Sequence, residues 1–157
     1  MASNRPFWVV AGLWQRFHAT SAKCPIQSGD IPPDTVIVSL DGSCDFKIDG
    51  KNFECESKLA YAHYTNGRTQ INVLPKVLGA VAFSGGKDLQ PKPEYYLLTV
   101  DRLILSGGTV VAADGFCSIH LQADGQIVYM VEGKALTHNG RVFEFKFTPD
   151  PKPPAIF

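Results

Sequence analysis

Hydrophobic and polar residues alternate with a period of two across residues 42–57, GSCDFKIDGKNFECES, on both sides of Asp49-Gly50. Asp-Gly is the dipeptide best suited to a two-residue type I′ turn, because both central residues need φ > 0. A turn there sets Ile48 opposite Lys51, Phe46 opposite Phe53 and Cys44 opposite Cys55. The other face carries Lys47 with Asn52 and Asp45 with Glu54, all polar. This alternation predicts a half-buried antiparallel pair. Opposed Cα atoms in such a pair stand about 4.5 to 5.5 Å apart, which overlaps the span of a disulfide, so Cys44 and Cys55 are expected to be bonded.

The same signals continue along the chain. Residues 35–40 are apolar and β-branched and read as a strand. Segments 58–64 and 69–74 flank Asn66-Gly67, and a two-residue turn there pairs Ala62 with Ile71 and Ala60 with Val73. Residues 77–83 read as a strand and 87–93 (KDLQPKP) as a loop. The segment 94–105 is the longest strand, too apolar on both faces for an exposed edge. Ser106-Gly107-Gly108 then turns the chain.

From Thr109 the pattern recurs. Asp41-Gly42-x-Cys44 reappears as Asp114-Gly115-x-Cys117, and Asn66-Gly67-Arg68 as Asn139-Gly140-Arg141, with Asp124-Gly125 as the counterpart of Asp49-Gly50. Any β protein reuses a few turn dipeptides, but the equal spacing favours an internal duplication with units at 36–75 and 109–149. Around Asp124-Gly125 the expected partners are Ile119 with Met130, Leu121 with Val128 and Cys117 with Glu132, which leaves Cys117 without a local sulfur, either paired with Cys24, a buried free thiol or exposed. The final strand, 142–148, sets Phe143, Phe145 and Phe147 on one face. The expected fold is all-β and antiparallel, a barrel or two-sheet sandwich of about eight to ten strands. It occupies residues 35–149 as a single domain, preceded by a linker at 23–34 and followed by a Pro-rich tail at 150–157.

Composition narrows the class without naming a function. A hydrophobic share of 45% with 19% charged residues is that of a globular chain. Fifteen basic and fifteen acidic residues cancel, so the electrostatic footprint of nucleic-acid binding is missing. No apolar run approaches the roughly 18 residues of a spanning helix. Residues 1–22 combine an Arg, the apolar FWVVAGLW and a small-residue cluster, and read either as a secretory signal peptide or as an amphipathic helix. A disulfide needs an oxidising compartment. The two together point to a periplasmic or secreted protein, with a cytoplasmic one as the alternative.

Candidate chemistry is sparse. Cys44 and Cys55 lack the CxxC or paired histidines of a zinc site, so a disulfide is favoured over metal, and no cofactor is expected. Ser84-Gly85-Gly86-Lys87 fails as a phosphate loop, since valine stands at 81 and Asp88 follows the lysine. Arg68 and Arg141 follow the same turn and form either a pair of anion or partner contacts or ordinary salt bridges. Tyr61, Tyr64, Tyr95 and Tyr96 fit a ligand groove or carbohydrate platform, or cross-strand packing. His63 and His120 fall on the more polar faces and are expected to be solvated. Cys117 falls on an apolar face, which raises a thiol pKa and quiets it.

Cys44…Cys55 across its Asp-Gly hairpin, Asn66-Gly67-Arg68, Phe83-Ser84-Gly85-Gly86-Lys87 and Val100-Asp101-Arg102 resemble a group of small, uncharacterised exported proteins of alphaproteobacteria, over roughly residues 40–148. The resemblance implies a signal peptide and an envelope or secreted location, and implies no activity. The expected function is therefore a small exported, non-catalytic binding or envelope-associated module. Its ligand, a small molecule or a protein, would contact Arg68, Arg141, Tyr61, Tyr95 or Tyr96. The rivals are a hydrolase-like or thiol enzyme, with His63 or His120 meeting Cys117 or a carboxylate in one pocket, and a purely structural assembly component.

Overall fold

Strand pairing in the computed structural model, which describes residues 35–122 and 125–151, starts from the hairpin around Asp49-Gly50. Both turn residues have positive φ, 53° and 81°, and the flanking strands keep one register throughout. β1 (Val36–Ile48) pairs with β2 (Lys51–Phe53) as Phe46↔Phe53 and with β3 (Cys55–His63) as Leu40↔Leu59. The ladder lapses between those two runs, and there the Cys44–Cys55 disulfide joins the strands, with Cα atoms 5.6 Å apart. The expected staple and register are both present.

β4 (Thr69–Pro75), β5 (Val81–Gly85), β6 (Lys87–Lys92), β7 (Tyr95–Leu105), β8 (Val110–Gln122), β9 (Ile127–Thr137) and β10 (Val142–Pro149) follow, all antiparallel. β10 pairs back onto the second half of β1, as Phe46↔Phe145 and Ile48↔Phe143. That pairing closes an eight-stranded barrel from β1, β3, β4, β5, β7, β8, β9 and β10, with β2 and β6 outside it. The barrel resolves the choice against a sandwich. No helix among the described residues is long and apolar enough to cross a membrane.

The inner face is filled. Val38, Leu59, Ile71, Phe83, Leu98, Val100, Leu103, Ile119, Val131 and Phe147 are buried there. Phe83 and Phe145 meet with ring centroids 4.9 Å apart, and Phe46 lies edge-on to Phe143 at 6.3 Å. A barrel of eight strands is just wide enough for side chains to fill it.

Four expectations need correction. The turn at Asn66-Gly67 has three residues between Tyr64 and Arg68, and only Gly67 has positive φ, 88°. Tyr61 therefore faces Ile71, and Ala62 faces Gln70 rather than Ile71. A one-residue slip exchanges the faces of a strand, so His63 turns inward beside Thr69 instead of lying on a solvated face. A register shift between His120 and Leu121 keeps Leu121 opposite Val128 but sets Ile119 opposite Val131 and Cys117 opposite Gly133, not Glu132. Residues 87–92, expected as loop, are strand β6: beyond Gly86 the chain stays paired with β7 in the register of β5. The strand expected at 77–83 begins only at Val81, because residues 76–78 form a turn. The readings for residues 1–22, the linker 23–34 with Cys24, Asp124 and residues 152–157 lie outside the described residues.

Candidate functional site

The two Asn-Gly-Arg turns mark opposite ends of the barrel, because β1 runs from His63 beside the first to Val142 beside the second. At the upper end, the corrected register gathers an inward-facing polar cluster. β3 supplies Tyr61 and His63, β4 Thr69, β6 Asp88 and β7 Tyr96. The Tyr96 hydroxyl donates to Asp88 Oδ2 at 2.6 Å, and His63 Nδ1 lies 2.9 Å from Thr69 Oγ1 and 3.9 Å from Asp88. Tyr61 packs edge-on to Tyr96 at 6.1 Å. Burial pushes both phenols well above the ordinary tyrosine range, so they act as neutral groups.

On the outer face of the same end, Arg68 grips Asp101 with two nitrogens at 2.6 and 3.2 Å and donates to Ser84 Oγ at 3.0 Å. This pair holds the Asp101 carboxyl below its ordinary range, the Arg68 hydrogen bond being the main cause. Arg141, at the lower end, donates to Asp49 at 2.6 Å. Both arginines are thus engaged by acids distant in sequence, Asp101 on β7 and Asp49 in the turn after β1. Tyr95 faces outward, its ring 5.3 Å from His120, which lies 6.0 Å from Tyr129. Of the five residues singled out as ligand contacts, Tyr61 and Tyr96 meet inside the upper end, Arg68 sits outside that end, Tyr95 is on the outer wall and Arg141 is at the far end.

Two histidines do meet carboxylates, as the catalytic rival expects. His63 faces Asp88 and Thr69, and His120 Nε2 lies 3.2 Å from both Ser118 Oγ and Glu132 Oε2. In each set the hydroxyl and the carboxylate share one ring nitrogen. A relay needs the acid on one nitrogen and the nucleophile on the other, and turning the ring does not separate them. Thr69 is also fully buried. Cys117 lies in the core, where burial drives its thiol far above the ordinary range and away from the reactive thiolate. Among the described residues no group of three or more His, Cys, Asp or Glu is placed to hold a metal ion.

A concave space of about 630 Å³ lies on the outer wall, over β1, β2, β8, β9 and β10. One row of cross-strand neighbours there runs Phe116, Lys134, Glu144, Lys47, Asn52, and the adjacent row runs Ser118, Glu132, Lys146, Asp45. Charge alternates along both rows, the arrangement in which opposed side chains attract across a sheet. Phe116 is the exception, an aromatic ring 57% exposed on a polar wall. None of these groove residues was expected as a ligand contact, although Asp45, Lys47 and Asn52 were legible as a polar hairpin face. The available signal was the pairing of Asp45-x-Lys47 with Glu144-x-Lys146, two complementary outward triplets. No protein-family model, curated protein or solved structure matches the chain.

Proposed function

We propose that this protein is a small exported barrel, periplasmic or secreted, that binds its ligand on the outer wall and performs no chemistry on it. The observation that carries the binding reading is the groove over β1, β2, β8, β9 and β10. The interior is occupied by side chains, and within the polar cluster at the upper end Asp88 accepts from Thr69 and Tyr96. The location rests on the Cys44–Cys55 bond, which a reducing cytosol would not sustain. Fractionation of cells producing the full chain, with thiol alkylation of each fraction after unfolding, tests the location. The protein should appear outside the cytoplasm with Cys117 open to alkylation and Cys44 and Cys55 closed to it. A cytoplasmic protein in which Cys44 and Cys55 are also alkylated would refute it.

A further inference from the structure

Resting on the reading that the groove is where this barrel binds, we propose that its ligand is a neutral oligosaccharide stacked on Phe116. Three ammonium groups (Lys47, Lys134, Lys146) and three carboxylates (Asp45, Glu132, Glu144) face the groove, so its charge sums to zero. A polyanion or polycation would meet as much repulsion as attraction there. A ligand with many hydroxyls gains from both kinds of group, since a hydroxyl donates to carboxylate and accepts from ammonium. Hydrogen bonds with one charged partner are also the stronger kind.

Phe116 supplies what the charges cannot. Single exposed apolar residues are common, but this ring stands at the wall of a groove whose other exposed side chains are polar. One face of a pyranose ring presents C–H bonds rather than hydroxyls, and such a face packs on an aromatic ring without burying a polar group. Along β8 the outward positions after Phe116 are Ser118 and His120. His120 sits between the rings of Tyr95 and Tyr129. The second aromatic station lies past the groove's own lining, four residues from Phe116 or about 13 Å at the rise of a strand. That separation suits an extended ligand of several rings, with Ser118 and Glu132 between the stations. A volume of about 630 Å³ falls in the range of small-ligand sites.

The test is amide chemical-shift mapping of the full-length oxidised protein against three probe sets. These are neutral oligosaccharides (cello-, malto-, manno- and chito-oligosaccharides), a heparin oligosaccharide, and a peptide of alternating Lys and Glu. At least one neutral sugar should shift the amides of Phe116, Ser118, Glu132 and Lys134, with affinity changing less than about twofold when salt is raised, because no net charge is screened. Phe116→Leu, which keeps an apolar side chain but loses the ring, should weaken that binding at least tenfold. Phe116→Tyr should leave it within about threefold, and both variants should keep the wild-type spectrum elsewhere. Shifts in the groove from heparin or the peptide alone would overturn the saccharide and leave the groove reading standing. Sugar binding that ignores Phe116→Leu, or maps elsewhere, would also overturn the saccharide. A groove silent to all three sets would overturn both.

Discussion

The first meander of the barrel, β1 to β4, and the last, β8 to β10, share the words Asp-Gly-x-Cys and Asn-Gly-Arg and use them alike in two respects and differently in two. Gly42 and Gly115 each lie against the backbone of a neighbouring strand. A Cβ at Gly42 would overlap the carbonyl of Thr148, and one at Gly115 that of Lys134. Both Asn-Gly-Arg turns are three-residue loops in which the residue before the loop bonds to the arginine carbonyl, Tyr64 to Arg68 and Thr137 to Arg141 at 2.8 Å. The cysteines diverge: Cys44 is bonded to Cys55, whereas Cys117 faces Gly133 in the core. The arginines diverge as well. Turn geometry is set locally and so follows the local words. What a side chain does depends on which distant strand comes to lie beside it.

The largest effect should come from the shared glycines. Gly115→Ala and Gly42→Ala push a methyl group into backbone, which cannot swing aside as a side chain would. Each should cost about 3 kcal/mol or more in urea unfolding, the upper end for overpacking. If both variants unfold at the wild-type midpoint, the close strand approach that unites the two meanders is not there.

Next comes the staple, which separates them. The bond closes a short loop with a sequence separation of 11, for which chain entropy assigns roughly 2 to 3 kcal/mol. Cys44→Ala with Cys55→Ala should lower stability by that amount, and a reductant should do the same to the wild type and nothing further to the variant. Cys117 should react with iodoacetamide only as fast as the barrel unfolds. Rapid labelling of Cys117 in the native protein would show that the last meander is open where the first is locked.

How far the sequence could be read follows the same division between local and distant. The Asp49-Gly50 hairpin was legible because alternation and turn chemistry agree, and its register holds to the far end of β1. Asn66-Gly67 misled by one residue: the dipeptide permits two loop lengths, and Asn66 keeps negative φ while its side chain accepts from the Arg68 amide at 3.0 Å. That slip hid the cluster of His63, Thr69 and Asp88. β6 was missed because Lys87, Pro91 and Lys92 are the residues that guard an exposed edge rather than those that advertise a strand. Barrel closure by β1 and β10 links residues about a hundred positions apart, and no turn motif indexes such a pairing. The groove exists only through that closure, so Phe116 and the two charge rows had no local signature as a site.

The smallest effects sharpen the contrast between the arginines. Arg68 is the more enclosed, 26% exposed against 53% for Arg141, and it satisfies the buried Ser84 hydroxyl as well as Asp101. Arg68→Ala should cost about 1 kcal/mol, the upper end for a largely surface pair. Arg141→Ala should cost less. Acid separates them further. Asp101 and Asp49 both have carboxyls held below the ordinary value, so each contributes stability that is present above the unfolded carboxylate range and lost as pH falls through the folded value. The leading cause differs: for Asp101 it is the bond from Arg68, but for Asp49 it is the Val142 amide at 2.8 Å, with Arg141 second. Carboxyl NMR titration should therefore show Arg68→Ala returning Asp101 toward its ordinary range, while Arg141→Ala leaves Asp49 still depressed. Correspondingly, the stability gap between wild type and Arg68→Ala should narrow below about pH 4, where Asp101 is protonated in the unfolded chain and losing its charge in the folded one, leaving the part owed to Ser84. Equal upward shifts of the two carboxyls would mean that the second turn, too, is held by its guanidinium rather than by its backbone.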